Sequence, residues 1–279
     1  MLVVSIGIVV VVFLMYGRDP ALEQVKPAEL HAPMNRKPHY KLSAPVFPVK
    51  SKIVLRFDTE SLKGLADESP VTQWPSAGGA GFILKPVDSK KTAIFKSPPL
   101  EPAYVRFDGS QSYEITSVAG NSLFKPGAFS IFVVFRSEKF GARERLQELF
   151  GWGDCANSRL LVHLTNGVDF VSFNFHLGPP ENRIDAADQT PANPSDFAVV
   201  VLEQRKSVNS IEFNTHLVGQ RVSKASSEFL RKKERFLLGT SACEHDFSGD
   251  LAAFIVAQDL SVADKDGLVS YLFKKYDID

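Results

Sequence analysis

The chain has 279 residues, 44% hydrophobic and 11% aromatic, with Lys+Arg and Asp+Glu both at 32. That composition suits a folded protein with a full core, and the length suits a single all-β domain. The formal net charge of zero lacks the basic excess of a nucleic-acid binder, so no nucleic-acid partner is expected.

The first element is an uncharged run that contains Leu2, Val3, Val4, Ile6, Ile8, Val9, Val10, Val11, Val12, Phe13, Leu14, Met15 and Tyr16. As a helix these positions span roughly 22 Å, against a hydrocarbon core of about 30 Å, so local thinning or snorkelling of Arg18 must cover the remainder. No Lys or Arg precedes the run, and no small-x-small site follows it. A membrane anchor over residues 1–17 is therefore preferred to a cleaved signal peptide. The basic residues that follow it, Arg18, Lys26, Arg36 and Lys37, taken alone place the rest of the chain on the cytoplasmic side.

Residues 18–50 hold Pro20, Pro27, Pro33, Pro38, Pro45 and Pro48. Proline fixes φ and removes a donor, so an extended linker is expected there, able to lie along a partner. From residue 51 to 279 the pattern is that of one β domain. Short apolar runs bounded by turn residues recur: Ile53–Phe57, Gly81–Leu84, Ala103–Phe107, Phe129–Phe135, Leu160–Leu164, Phe170–Leu177, Phe197–Leu202, Ile211–Leu217, Phe236–Leu238 and Leu251–Ala257. Phe129–Phe135 and Phe197–Leu202 are continuous and read as central strands, whereas 168–176 and 211–217 alternate. Without a long helical period between them, these runs predict antiparallel sheets. Ser261, with Asp264 three residues on, predicts a capped helix that ends near Tyr276, with Leu268, Leu272 and Phe273 on one face.

Several segments together resemble the laminin-G-like, concanavalin-A-like jelly-roll domains. Tyr104-Val-Arg-Phe-Asp-Gly-Ser110 is similar to a strand-and-turn of that family, and Phe129–Arg136 to the strand after it. Leu149-Phe-Gly-Trp-Gly-Asp154 is similar to the next strand and turn, Phe247–Val256 to a late strand, and Tyr271–Tyr276 to the closing helix. Phe57–Leu62 with Val71–Ser76 resembles the opening segment, though Pro75, Ser76 and Ala77 replace its usual polar run, and Ala253 stands where Glu is common. The resemblance spans about residues 52–278. It implies an all-β, antiparallel two-sheet jelly-roll sandwich with a short C-terminal helix, behind the N-terminal transmembrane helix. It also implies an extracytoplasmic domain, against the charge count after the anchor.

Chemistry is sparse. The E-x-D-x-x-E carboxylate run of the fold's glucanases is missing. The nearest stretch, Glu244-His-Asp246 with Gly249 in place of the second Glu, reads as a polar loop. Glu101, Glu114 and Glu148 read as solvated. No catalytic residue is expected, and no metal site, because the histidines show no ligand spacing. His163, His176 and His216 fall in alternating segments and share a sheet face only if the strands align. Trp74 and Trp152 are sugar-stacking candidates, with core packing preferred. Asp108, Asp154, Asp246 and Asp250 offer oxygen for calcium only if they converge, so no cofactor is expected. Cys155 and Cys243 form no CxxC pair. Two buried thiols are preferred to one disulfide in an oxidising compartment.

The function expected from these features is non-enzymatic: a membrane-anchored interaction or scaffolding domain, an accessory subunit that stabilises a larger membrane assembly. The alternative is a carbohydrate-binding, lectin-like surface protein; a glycoside hydrolase stands third.

Overall fold

The computed structural model describes residues 46–78, 81–116, 128–137, 146–153, 159–166, 171–177, 184–190, 196–206, 208–222, 235–241, 243 and 246–278. The anchor run 1–17 and linker residues 18–45 lie outside that set. Among the described residues, no helix is long and apolar enough to cross a membrane.

In chain order the strands are β1 (Ile53–Asp58), β2 (Trp74–Pro75), β3 (Ile83–Pro86), β4 (Ile94–Lys96), β5 (Tyr104–Asp108), β6 (Tyr113–Thr116), β7 (Phe129–Ser137) and β8 (Leu146–Gly153). They continue as β9 (Arg159–Asn166), β10 (Val171–Leu177), β11 (Ile184–Thr190), β12 (Ala198–Arg205), β13 (Val208–Phe213), β14 (His216–Val222), β15 (Phe236–Leu238) and β16 (Ser248–Gln258). Helix α1 (Val262–Tyr276) closes the chain. The first sheet runs β14-β13-β12-β7-β16-β5-β4, with β1 also on β16; the second runs β11-β10-β9-β8-β15-β6-β3-β2. All named pairings are antiparallel, so the two-sheet sandwich expected from the apolar runs is what forms.

Why β7, β12 and β16 are apolar on both faces follows from three layers. One cluster fills the space between the sheets, with Phe57, Phe107, Ile131, Val133, Val200 and Phe254 of the first sheet against Trp74, Tyr113, Phe150 and Leu238 of the second. A second cluster lies on the outer face of the first sheet, where Phe132, Val134, Val199, Val201 and Ile255 meet Leu268, Val269, Leu272 and Tyr276 of α1. Phe47 and Val49, the last apolar residues of the proline-rich segment, belong to this cluster; Phe47 meets Tyr271 edge-on at 5.1 Å.

Charges tie the same layer down. Arg56 Nε donates to Asp58 Oδ2 (2.8 Å) and its Nη2 to Glu60 Oε2 (2.7 Å), while its Cζ lies 4.0 Å from the Phe47 ring centroid. Lys275 Nζ reaches Asp58 Oδ2 and Glu60 Oε1, each at 3.1 Å. Burial alone pushes the Glu60 carboxyl up, but Lys275 and Arg56 outweigh it and hold the group below its usual range.

Helix α1 begins as the sequence implies. Ser261 Oγ accepts the Asp264 N–H (3.1 Å), the Asp264 carboxylate accepts the Ser261 N–H (3.1 Å), and Lys52 Nζ donates to the same carboxylate at 2.8 Å. The bonds from Lys52 and Ser261 lower the Asp264 pKa to about 2. A depressed carboxyl stabilises the fold above its unfolded pKa of about 3.9, and that contribution fades as pH falls through the folded value. Asp264→Asn should therefore lower the melting temperature at pH 6, and the gap to wild type should close between pH 4 and pH 2. A gap that stays constant over that window would assign the effect to helix capping alone.

One strand expectation is corrected. The alternation of 211–217 read as a single strand, but the chain reverses inside it: Asn214 and Thr215 take φ of 44° and 72°, and β13 pairs with β14 across them. Two consecutive residues with positive φ make the tight hairpin turn whose twist matches that of its strands.

Candidate functional site

The outer face of the first sheet lies under α1 and Phe47, so the outer face of the second sheet is the other large surface of the sandwich. Residues directly opposite in an antiparallel ladder share a face, and faces alternate along each strand. Phe150 and Trp152 of β8 are in the core. Their register partners on β9 are Val162 and Leu160, which pair in turn with Phe175 and Leu177 of β10. The positions between these form a second set of register rows. There Glu148 pairs with His163, His163 with Asn174, and Asn174 with Asp185. Glu148, His163, Asn174 and Asp185 thus stand in one register row across β8, β9, β10 and β11.

Thr165 and Ser172 form the adjacent pair on one side of this row; Gly151, Leu161 and His176 form it on the other. Glu148 is fully buried at 0% exposure, which corrects the expectation of a solvated side chain. The bulge between Glu148 and Phe150 is what turns Leu149 into the core.

A loop stands over the Gly151 position. Gly239 N–H donates to Leu149 O (2.8 Å) and Phe247 N–H to Gly239 O (2.8 Å), which fixes both ends of the loop. Within it, Cys243 N–H donates to Ser241 Oγ at 2.9 Å. A Cβ at Gly151 would stand 2.3 Å from the Cβ of Ser241, so only glycine lets the loop lie this close. Cys243 is disulfide-bonded, and the sequence has one other cysteine, Cys155. The preference for two buried thiols is therefore corrected; Cys155 itself lies outside the described residues.

The other sequence candidates separate. Trp74 and Trp152, at 0% and 4% exposure, are core residues, and the Trp74 indole donates to Asp58 O at 3.1 Å. Neither is a sugar platform. His163 and His176 lie on β9 and β10 of the second sheet, and His216 on β14 of the first. Asp108 caps its own turn, where its Oδ1 accepts the N–H and hydroxyl of Ser110 at 3.0 and 2.8 Å. Asp250 is held by two arginines: Arg106 Nε donates to Oδ1 at 2.8 Å and Arg136 Nε to Oδ2 at 2.9 Å. Asp246 is exposed. Asp154, Glu244 and His245 lie outside the described residues. Glu101 and Glu114 pair with Arg136 (3.2 Å) and Arg235 (2.8 Å). Among the described residues, no group of three or more His, Cys, Asp or Glu is arranged to hold a metal ion.

No family model matches the chain, and no curated protein matches it in sequence. Solved structures do match in fold. The binding domain of botulinum neurotoxin DC in complex with SialylT superposes with a TM-score of 0.54 at 12% identity, over 80% of this chain and 51% of that one. The same toxin's binding domain with rat synaptotagmin II gives 0.52 at 12%, over 79% and 51%. Domain 4 of AbnA, a GH43 extracellular arabinanase from Geobacillus stearothermophilus, in complex with arabinotriose, gives 0.51 at 10%, over 79% of this chain and all of that domain. The chain thus spans about half the length of the toxin binding domains and the whole of the arabinanase domain. At these identities the likeness is one of fold: a β-sandwich shared with binding domains.

Proposed function

We propose that this protein is a carbohydrate-binding module that works without catalysis. The observation that carries the reading is the fold, a two-sheet antiparallel β-sandwich that superposes on a binding domain over 80% of this chain. Two of the superposed binding domains hold saccharide ligands, SialylT and arabinotriose, which supports the same reading.

Hydrolysis fits the row poorly. Glu148 and Asp185 stand three strand steps apart, about 14 Å between backbones at about 4.8 Å per step, whereas paired glycosidase carboxyls lie roughly 5–9.5 Å apart. A disulfide at Cys243 suits an oxidising compartment, and so an extracytoplasmic domain. With the apolar run 1–17 as its tether, the module would hold saccharide at a membrane surface. That reading takes over from the accessory-subunit expectation, which had its support in the anchor and the proline-rich arm.

The test is binding of the full-length chain, in mild detergent, to an array of oligosaccharides. Saccharide binding is expected, and failure to bind any saccharide would refute the reading.

A further inference from the structure

We infer that residues 46–50 form a strap that closes the charged seam between β1 and α1, and that the seam opens when this segment lifts from the sheet. Burial alternates along it: Val46, Pro48 and Lys50 are exposed, whereas Phe47 and Val49 are each only 8% exposed. Phe47 precedes a proline, which disfavours helical backbone and holds it extended. An extended backbone sends successive side chains to opposite sides, so the segment rests on two apolar feet. Both belong to the cluster shared with α1.

Phe47 is the foot that covers the seam. The Arg56 guanidinium carbon stands over its ring, 4.0 Å from the centroid, and Tyr271 of α1 meets the same ring at 5.1 Å, with the planes at 77°. Beneath these contacts two cations and two carboxylates close a circuit. Arg56 donates to Asp58 and Glu60, Lys275 donates to the same two carboxylates, and Tyr271 Oη donates to Glu60 Oε1 at 3.4 Å. The circuit joins β1 and the turn after it to the second half of α1.

A guanidinium over an aromatic face is attracted to it, and more strongly where water is kept out. Arg56 is 8% exposed. Lifting Phe47 lets water reach it, and solvated ion pairs hold far less firmly than shielded ones. The seam then loosens at its own charges, while the interior between the sheets, on the other side of β1, keeps its packing. Val46 continues the proline-rich stretch in sequence, so whatever draws that stretch away acts on the strap first.

Deuterium exchange of the full-length chain in mild detergent reads this opening. In Phe47→Ala, amides of residues 60–65 and 268–276 should exchange at least about tenfold faster, the effect of losing one buried ring from a local opening step. Amides of β7 and β12 should keep their wild-type rates. Phe47→Leu retains an apolar foot without a ring face and should fall between the two; it carries the same test if the alanine variant does not fold. Unchanged exchange at 268–276 in both variants overturns the strap. An equal rise in β7 and β12 also overturns it, because Phe47 is then a core residue of the whole domain.

Discussion

Asp250→Ala should lower the melting temperature by about 6–12 °C. Asp250 is fully buried at 0% exposure on β16, directly opposite Arg106 of β5 and Arg136 of β7. Both guanidiniums close on it, and Arg136 also lies 5.0 Å from the Tyr104 ring centroid and 4.7 Å from that of Phe197. The Arg136 side chain is 14% exposed, so without Asp250 its charge has little water to replace the lost carboxylate, and Glu101, at 3.2 Å, remains beside it. Removing one member of a buried pair typically costs about 3–5 kcal/mol. The lower end applies here, because the Arg106 side chain is 35% exposed and recovers solvent. At about 2–4 °C per kcal/mol for a domain of this size, about 3 kcal/mol gives the stated range. Asp250→Asn, which keeps an acceptor oxygen, should fall between the two proteins in calorimetry. A loss below 2 °C for the alanine variant would show that Arg106 and Arg136 find other partners. The same prediction bears on calcium, since two guanidiniums already occupy the Asp250 oxygens.

How much of this was visible in sequence depended on the kind of signal each element carries. Every apolar run from Ile53 to Ala257 overlaps a strand, because burial between two layers leaves a local trace in hydropathy. The continuous runs Phe129–Phe135 and Phe197–Leu202 became central strands, as continuity implied. Strand β11, Ile184-Asp-Ala-Ala-Asp-Gln-Thr190, left no such trace: only Ile184 among its seven residues is a large apolar side chain. The hairpin at Asn214–Thr215 stayed hidden because alternation runs unbroken through the turn, with neither residue a glycine. The candidate site was legible only in part. His163 and His176 stood out by their alternating surroundings, whereas Glu148, Asn174 and Asp185 had no motif. Their relation is one of register across four strands, and register is set by bulges and loop lengths that local patterning does not encode. The bulge at Leu149 is the clearest case. It alone brings Leu149 as well as Phe150 into the core, and nothing in Leu-Gln-Glu-Leu-Phe marks it.

Removal of α1, by a stop after Leu260, should leave no folded protein at all. The helix is not an appendage: Leu268, Val269, Tyr271, Leu272 and Tyr276 are all buried, on a sheet face made of Phe132, Val134, Val199, Val201 and Ile255. Burial of each such side chain contributes about 1.5–3 kcal/mol, so the five together are worth on the order of 10 kcal/mol, comparable with the whole net stability of a domain. Polar links go with them. Tyr276 Oη donates to Ala252 O at 3.1 Å, and Lys265 Nζ to Glu212 Oε1 at 2.7 Å. Loss of Lys275 would also leave Asp58, 1% exposed in its side chain, with Arg56 as its remaining basic partner among the bonds above. The uncovered sheet face would be a contiguous apolar patch of the kind that drives aggregation. The truncated chain should therefore appear in inclusion bodies, and refolded material should show the red-shifted fluorescence of exposed indoles, because Trp74 and Trp152 of the second sheet lie in the core between the two sheets. Leu272→Ala, at about 2–5 kcal/mol, is the graded counterpart and should leave a folded protein with a lower melting temperature. A truncated chain that is soluble, monomeric and blue-shifted in emission would show that the two sheets stand without their third layer.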